Sequence, residues 1–265
     1  MENQSHTRFG NRENKRRRGM KQITTVFLIL MAVSTASASG ETVPYMVDGK
    51  PFEGYFISPS PKAPLILLIH DWDGLTDYEV KRGNMLADLG YSVFAADLFG
   101  AGVRPTELKD KRRLTSELYA DRGKMRSLLQ GALEAAKSKG ADIQNAVAMG
   151  YCFGGTAVLE LARSGTDLKG FVTFHGGLQT PEGQSHAKTK GNLLILHGTA
   201  DTNVTMDHFA TLATELEEKQ IPHEMITYSG APHAFSVFGS SRYREDADRK
   251  SWHRFTGFLT ETLDR

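Results

Sequence analysis

The chain has 265 residues, 40% of them hydrophobic and 24% charged, with a formal net charge of +1. That is the make-up of a globular protein able to bury a sizeable core, in one large domain or two small ones. Residues 1–38 hold seven Lys/Arg against two Asp/Glu, leaving 25 against 29 in the rest, a net of −4, so the body lacks the basic footprint of a nucleic-acid-binding protein.

In chain order, the basic stretch Lys15-Arg16-Arg17-Arg18 and Lys21 precedes an apolar run over residues 23–33, then small residues ending in Ala36-Ser37-Ala38. A positive flank, a short apolar core and an A-x-A site describe a secretory signal peptide over residues 1–38. The run falls short of the roughly 20 residues a membrane span needs, which leaves an uncleaved anchor as the other reading. Met20-Lys21 begins a more compact version of the same signal. The expectation is an exported, periplasmic or secreted protein with no membrane association after cleavage, its folded domain covering residues 39–265.

Residues 45–47 and 52–57 read as two short strands of a hairpin about Asp48-Gly49-Lys50-Pro51. Residues 64–70 (PLILLIH) form a continuous apolar run, the mark of a strand buried on both faces. A helix over 78–89 ending at Gly90, a buried strand over 92–97 and a long polar excursion over 98–113 follow. Residues 119–139 read as helix, 145–149 as strand and 156–163 as helix. Strands over 170–175, 192–197 and 223–228 then alternate with a helix over 208–219, and a last helix covers 248–263. Strands alternating with helices predict an α/β fold, a mostly parallel sheet with helices on both faces and right-handed crossovers, preceded by an N-terminal β-hairpin. No Pro/Ser-rich linker divides the body.

The only cysteine, Cys152, lies in Gly150-Tyr151-Cys152-Phe153-Gly154-Gly155, between the strand at 145–149 and the helix after it. A lone thiol forms no internal disulfide; in an exported chain it is either reactive or buried. The spacing is that of the G-x-S-x-G nucleophile elbow with Cys for Ser. A sharp turn from strand to helix strains the nucleophile's backbone and leaves no room for side chains two residues away. It places the sulfur at a helix N-terminus, whose partial positive charge favours thiolate. It also aims the Phe153 N–H at the reacting carbon as half of an oxyanion hole. Packing alone is the competing reading, since free Cys is commonly buried.

The partners decide between the two. His197-Gly198-Thr199-Ala200-Asp201 follows the strand at 192–197, and Pro232-His233-Ala234-Phe235 follows the strand at 223–228. Nucleophile, acid and base in that order, each past its own strand end, assign His233 as general base and Asp201 as the group that holds its tautomer. His175 and His197 read as packing or capping groups. No Cys/His cluster with metal-ligand spacing and no phosphate-binding Gly loop occurs, so neither a metal nor a cofactor is expected.

These segments, with Ala95-Ala96-Asp97-Leu98-Phe99-Gly100, resemble the dienelactone hydrolases over nearly the whole body. The resemblance implies the α/β-hydrolase fold and a Cys-His-Asp triad acting on a small-molecule ester or lactone. It places Asp71, in His70-Asp71-Trp72-Asp73-Gly74, where the family carries a thiol-activating Glu, and makes the Trp72 N–H the second oxyanion donor. It also implies two arginines that hold a substrate carboxylate. Arg104 fits the first place, but Val237 stands near the second, with Arg242 and Arg244 further on. Since thiolate leaves more readily than an amide nitrogen, C–O cleavage is expected over C–N. A non-catalytic binding protein and a thiol redox sensor are the alternatives on the same scaffold.

Overall fold

The computed structural model describes residues 39–264; the leader and start-site expectations lie outside them. Strands β1 (Glu41–Val47) and β2 (Lys50–Ile57) form the expected hairpin. Its turn is Asp48-Gly49, both at positive φ (49° and 74°), the geometry a two-residue hairpin loop requires. Pro51, expected in the turn, belongs to β2.

Six strands then run parallel: β3 (Pro64–Ile69), β4 (Ser92–Ala96), β5 (Asp142–Tyr151), β6 (Gly170–Phe174), β7 (Asn192–Gly198) and β8 (His223–Tyr228). The eight-stranded order is β1-β2-β4-β3-β5-β6-β7-β8, with β2 antiparallel to both β1 and β4. The order reverses at β3: one crossover leads out to β4 and the next returns to β5. The crevice beyond the carboxyl ends of β3 and β5 is therefore a topological switch point, where open α/β sheets bind ligands.

Helices α1 (Asp77–Asp88), α2 (Leu108–Ala120), α3 (Arg122–Ser138), α4 (Phe153–Arg163), α5 (Met206–Glu218) and α6 (Glu245–Thr262) fill the crossovers and the C-terminal end. The period-2 alternation of the strands divides the core. Leu65, Leu67 and Ile69 face a cluster with α3, α4 and α5, whereas Ile66 and Leu68 face one with α1 and α6.

One element departs from the expectation. The polar excursion ends in α2, and the helix expected over 119–139 is two helices broken at Asp121, whose carboxylate accepts the Lys124 N–H at 2.8 Å to cap α3. Only Thr115 and Leu118 of α2 are buried, so the helix lacks the apolar stripe that marks a core-facing helix. Among the described residues no helix is long and apolar enough to cross a membrane.

Candidate active site

Cys152 joins β5 directly to α4 with φ 52° and ψ −113°, a conformation disfavoured for a residue with a side chain. The glycines around it follow from contact. A Cβ on Gly150 would lie 2.3 Å from the carbonyl carbon of Gly154, and one on Gly154 would lie 2.3 Å from the carbonyl oxygen of Ile69. Both obstacles are backbone, which cannot step aside. Gly150→Ala is expected to lower stability by about 1–3 kcal/mol through overpacking, read as a lower urea midpoint at unchanged slope; an unmoved midpoint would contradict this account of the turn.

Asp201 and His233 sit in the loops after β7 and β8. His233 Nδ1 lies 2.7 Å from Asp201 Oδ2, and Nε2 lies 3.1 Å from Cys152 Sγ. The other Asp201 oxygen accepts the N–H groups of Asn203 and Val204, each at 2.9 Å. Burial pushes the Asp201 carboxyl up, but the His233 bond and these N–H groups outweigh it and hold the carboxyl below its ordinary range. Burial likewise works against a charged His233; its bonds to Asp201 and Cys152 prevail and push it up to about 10. The carboxylate fixes the proton on Nδ1, leaving Nε2 to exchange a proton with sulfur.

The two N–H groups expected to meet an oxyanion lie on two segments: that of Trp72 in the loop after β3 and that of Phe153 in the first turn of α4. Among the described residues neither N–H donates to another protein group. The Trp72 loop is tied down by His70, whose Nε2 accepts the Leu98 N–H at 3.1 Å. The proton must therefore lie on Nδ1, which donates to the Asp71 carbonyl at 2.6 Å. Burial pushes His70 down to about 4, so it serves as a neutral bridge at neutral pH.

Cys152 opens into a cavity of about 410 Å³ lined by Asp71, Trp72, Phe153, His233 and, from α2, Arg112, Thr115 and Tyr119. Asp71 is thus in the cavity wall. Its Oδ1 accepts the Asp73 N–H at 2.8 Å, and no hydrogen bond joins it to Cys152. Burial raises the carboxyls of both Asp71 and its neighbour Glu79.

Arg104 does not join this group, which corrects the expectation placed on it. Its Nη1 donates to the Val103 carbonyl at 2.8 Å and lies 3.7 Å from Asp97 Oδ1, and it lines a separate groove beside Thr42 and Tyr55. Two other arginines reach the Cys152 cavity, Arg112 on α2 and Arg242 in the loop after β8. Both are exposed, and among the described residues neither guanidinium has an ion-pair partner. Arg112, Thr115 and Tyr119 share one helical face by their i, i+3, i+7 spacing, a signal present in the sequence once α2 is recognised as a helix. Arg242 comes close only because the chain folds back, the Arg244 N–H meeting the Phe235 carbonyl at 2.9 Å.

An eight-stranded, mostly parallel sheet with Cys152, Asp201 and His233 past the ends of β5, β7 and β8 has the α/β-hydrolase fold. The dienelactone hydrolase family model matches residues 52–263; the chain belongs to that family and is a carboxylic ester hydrolase. A Salmonella typhimurium protein provisionally named as a carboxymethylenebutenolidase is 24% identical over 238 residues, covering 85% of this chain and 87% of the relative. The structure of a dienelactone hydrolase-like promiscuous phosphotriesterase from metagenomic libraries superposes with a TM-score of 0.80 at 27% identity, covering 86% of this chain and all of that one. A dienelactone hydrolase-type structure from Klebsiella pneumoniae has a TM-score of 0.74 at 20% identity over 84% of this chain and 98% of its own, a likeness of fold.

Proposed function

We propose that the chain hydrolyses a small ester or lactone through a thioester on Cys152, and that the acyl part carries a carboxylate held by Arg112 and Arg242. The observation that carries the reading is the single imidazole of His233, 2.7 Å from Asp201 and 3.1 Å from Cys152. A thiol kept for packing needs no such pair, and a redox sensor needs no aligned carboxylate behind the imidazole.

In the proposed cycle His233 Nε2 holds the proton that Sγ has given up, and the sulfur electron pair attacks the carbonyl carbon. The resulting oxyanion is met by the N–H groups of Trp72 and Phe153. Collapse breaks the C–O bond, and the leaving oxygen takes the proton from Nε2. A water then gives a proton to Nε2 and attacks the thioester, and the thiolate leaves while Nε2 keeps the proton. Asp201 holds the imidazolium throughout.

Acid-quenched digestion during turnover of p-nitrophenyl acetate is expected to recover the acetyl group on the Cys152 peptide. Turnover with no acyl on that peptide would end the reading. The charge reading has its own measurement. Arg112→Ala and Arg242→Ala should each raise KM about tenfold for a monoester of a dicarboxylic acid, the loss of one charged hydrogen bond, and leave the KM of an acetate ester unchanged. Equal effects on both substrates would remove the carboxylate. We further propose that the enzyme is exported, supported by the basic, apolar and A-x-A pattern of residues 1–38; an intact N-terminus on protein recovered from the cytoplasm would count against it.

A further inference from the structure

His233 lies in a loop rather than on a strand, so something must set its imidazole to the sulfur. Three residues on, Ser236 is fully buried and held from three directions. Its carbonyl accepts from Arg82 Nη2 at 2.8 Å and from the Tyr78 hydroxyl at 3.2 Å. Its own hydroxyl lies 2.9 Å from His175 Nε2 and 3.2 Å from the Tyr78 hydroxyl.

Arg82, on α1, is 1% exposed and pairs with Asp248 of α6, which is 5% exposed. Its guanidinium lies 4.1 Å from the ring centre of Phe238 and 4.9 Å from that of Trp252. A charge pair taken this far out of water is costly on its own. Here it fixes the carbonyl of a loop residue that no strand holds.

The backbone shows the same constraint. Ala234 (φ 62°) and His175 (φ 41°) both occupy the left-handed region, and neither is glycine. Such residues persist only where their surroundings over-determine them, and the His175–Ser236 bond lies between these two positions. The His175 ring also packs edge-on against His233, with centres 5.4 Å apart. His197, Asp201, Tyr151 and Tyr78 are the other titratable groups around this string. Burial, followed by the charge of His233, keeps His175 well below its ordinary range and therefore uncharged.

We infer that Ser236, clamped between Arg82 and His175, is the positioning residue that sets His233 against Cys152, with the Arg82–Asp248 pair between α1 and α6 as its anchor. The inference rests on the proposed roles of Cys152 and His233. It assigns the buried polar string behind the base a part in catalysis without contact with substrate.

The test compares Ser236→Ala with Leu259→Ala, a core truncation on α6 that serves as a control for lost stability. Ser236→Ala is expected to lower kcat about tenfold with KM within about twofold, because a displaced base slows chemistry and leaves binding intact. The rate of Cys152 alkylation by iodoacetamide at pH 7 should fall about tenfold in parallel, since a displaced imidazole no longer meets the sulfur it now sits 3.1 Å from. Leu259→Ala should lose stability and keep both. If Ser236→Ala fails to fold, Tyr78→Phe removes one hydroxyl from the same clamp and should move both readouts the same way by about threefold. Wild-type kcat and alkylation in the clamp variants, or equal losses in Leu259→Ala, overturn the inference. A wild-type thiol that alkylates no faster than free cysteine would instead overturn the roles on which it rests.

Discussion

Replacing Cys152 with Ala is expected to cut kcat/KM for p-nitrophenyl acetate by about 10⁴-fold or more, leaving what the oxyanion donors and the cavity provide without a nucleophile. Cys152→Ser should not rescue it. A C–O bond is shorter than a C–S bond, so the oxygen is set back from an imidazole placed 3.1 Å from sulfur. A hydroxyl also holds its proton far more tightly than a thiol. Asp201→Asn leaves the packing of the loop nearly unchanged but presents an amide to His233 Nδ1, which stabilises the wrong tautomer; a loss of about 10⁴-fold in kcat is expected. The diagnostic result is the double variant Cys152→Ala/His233→Ala, which should be little worse than Cys152→Ala alone, because residues that act as one unit do not add. Steady-state kinetics on purified variants decide the matter. Wild-type turnover in Cys152→Ala would show that the sulfur takes no part.

The residues of this unit were legible in the sequence for a physical reason. Strands buried on both faces write themselves as unbroken apolar runs, and chemistry in such sheets collects just past their carboxyl ends. Cys152 and Asp201 follow such ends, and His233 follows the half-buried edge strand β8, so locating the strands located the candidate residues. The Gly150 and Gly154 spacing carried the turn, since backbone lies where their Cβ atoms would be. The cavity wall was less legible. α2 covers the site instead of the core, with two buried residues in thirteen, so the helical apolar period that reveals α3 and α4 is absent. Arg104 misled because position along the chain says nothing of side-chain direction; its guanidinium turns back to Val103 and Asp97. The Ser236 clamp joins α1, the end of β6 and α6, residues up to 166 positions apart, and nothing local in Arg82 or Asp248 announces it.

Acidification from pH 6.5 to 5 is expected to destabilise the fold by about 2 kcal/mol. Four histidines are held below their ordinary value of 6.5, first by burial: His70 and His186 down to about 4, His197 lower than usual and His175 well below. In this window the unfolded chain binds protons on His70, His186 and His175 while the native state binds almost none there, and the lowered His197 adds to the same side. Asp71 and Glu79 oppose this: burial raises them to about 6 and about 8, so the native state keeps their protons after the unfolded chain has lost them. Three protons against two leave the unfolded state about one ahead near pH 5.5, a slope of about 1.4 kcal/mol per pH unit. His233 acts at the other end. With its folded value raised to about 10, its contribution is fully present below pH 6.5 and is lost as pH rises through 10, which places the stability maximum near neutrality. Urea midpoints at pH 7, 6 and 5 at constant slope measure the acid limb. Glu79→Gln, which removes one opposing proton, should steepen that limb by about 1.4 kcal/mol per pH unit. Stability that is flat or rising on acidification would mean that the buried histidines are already charged in the native state.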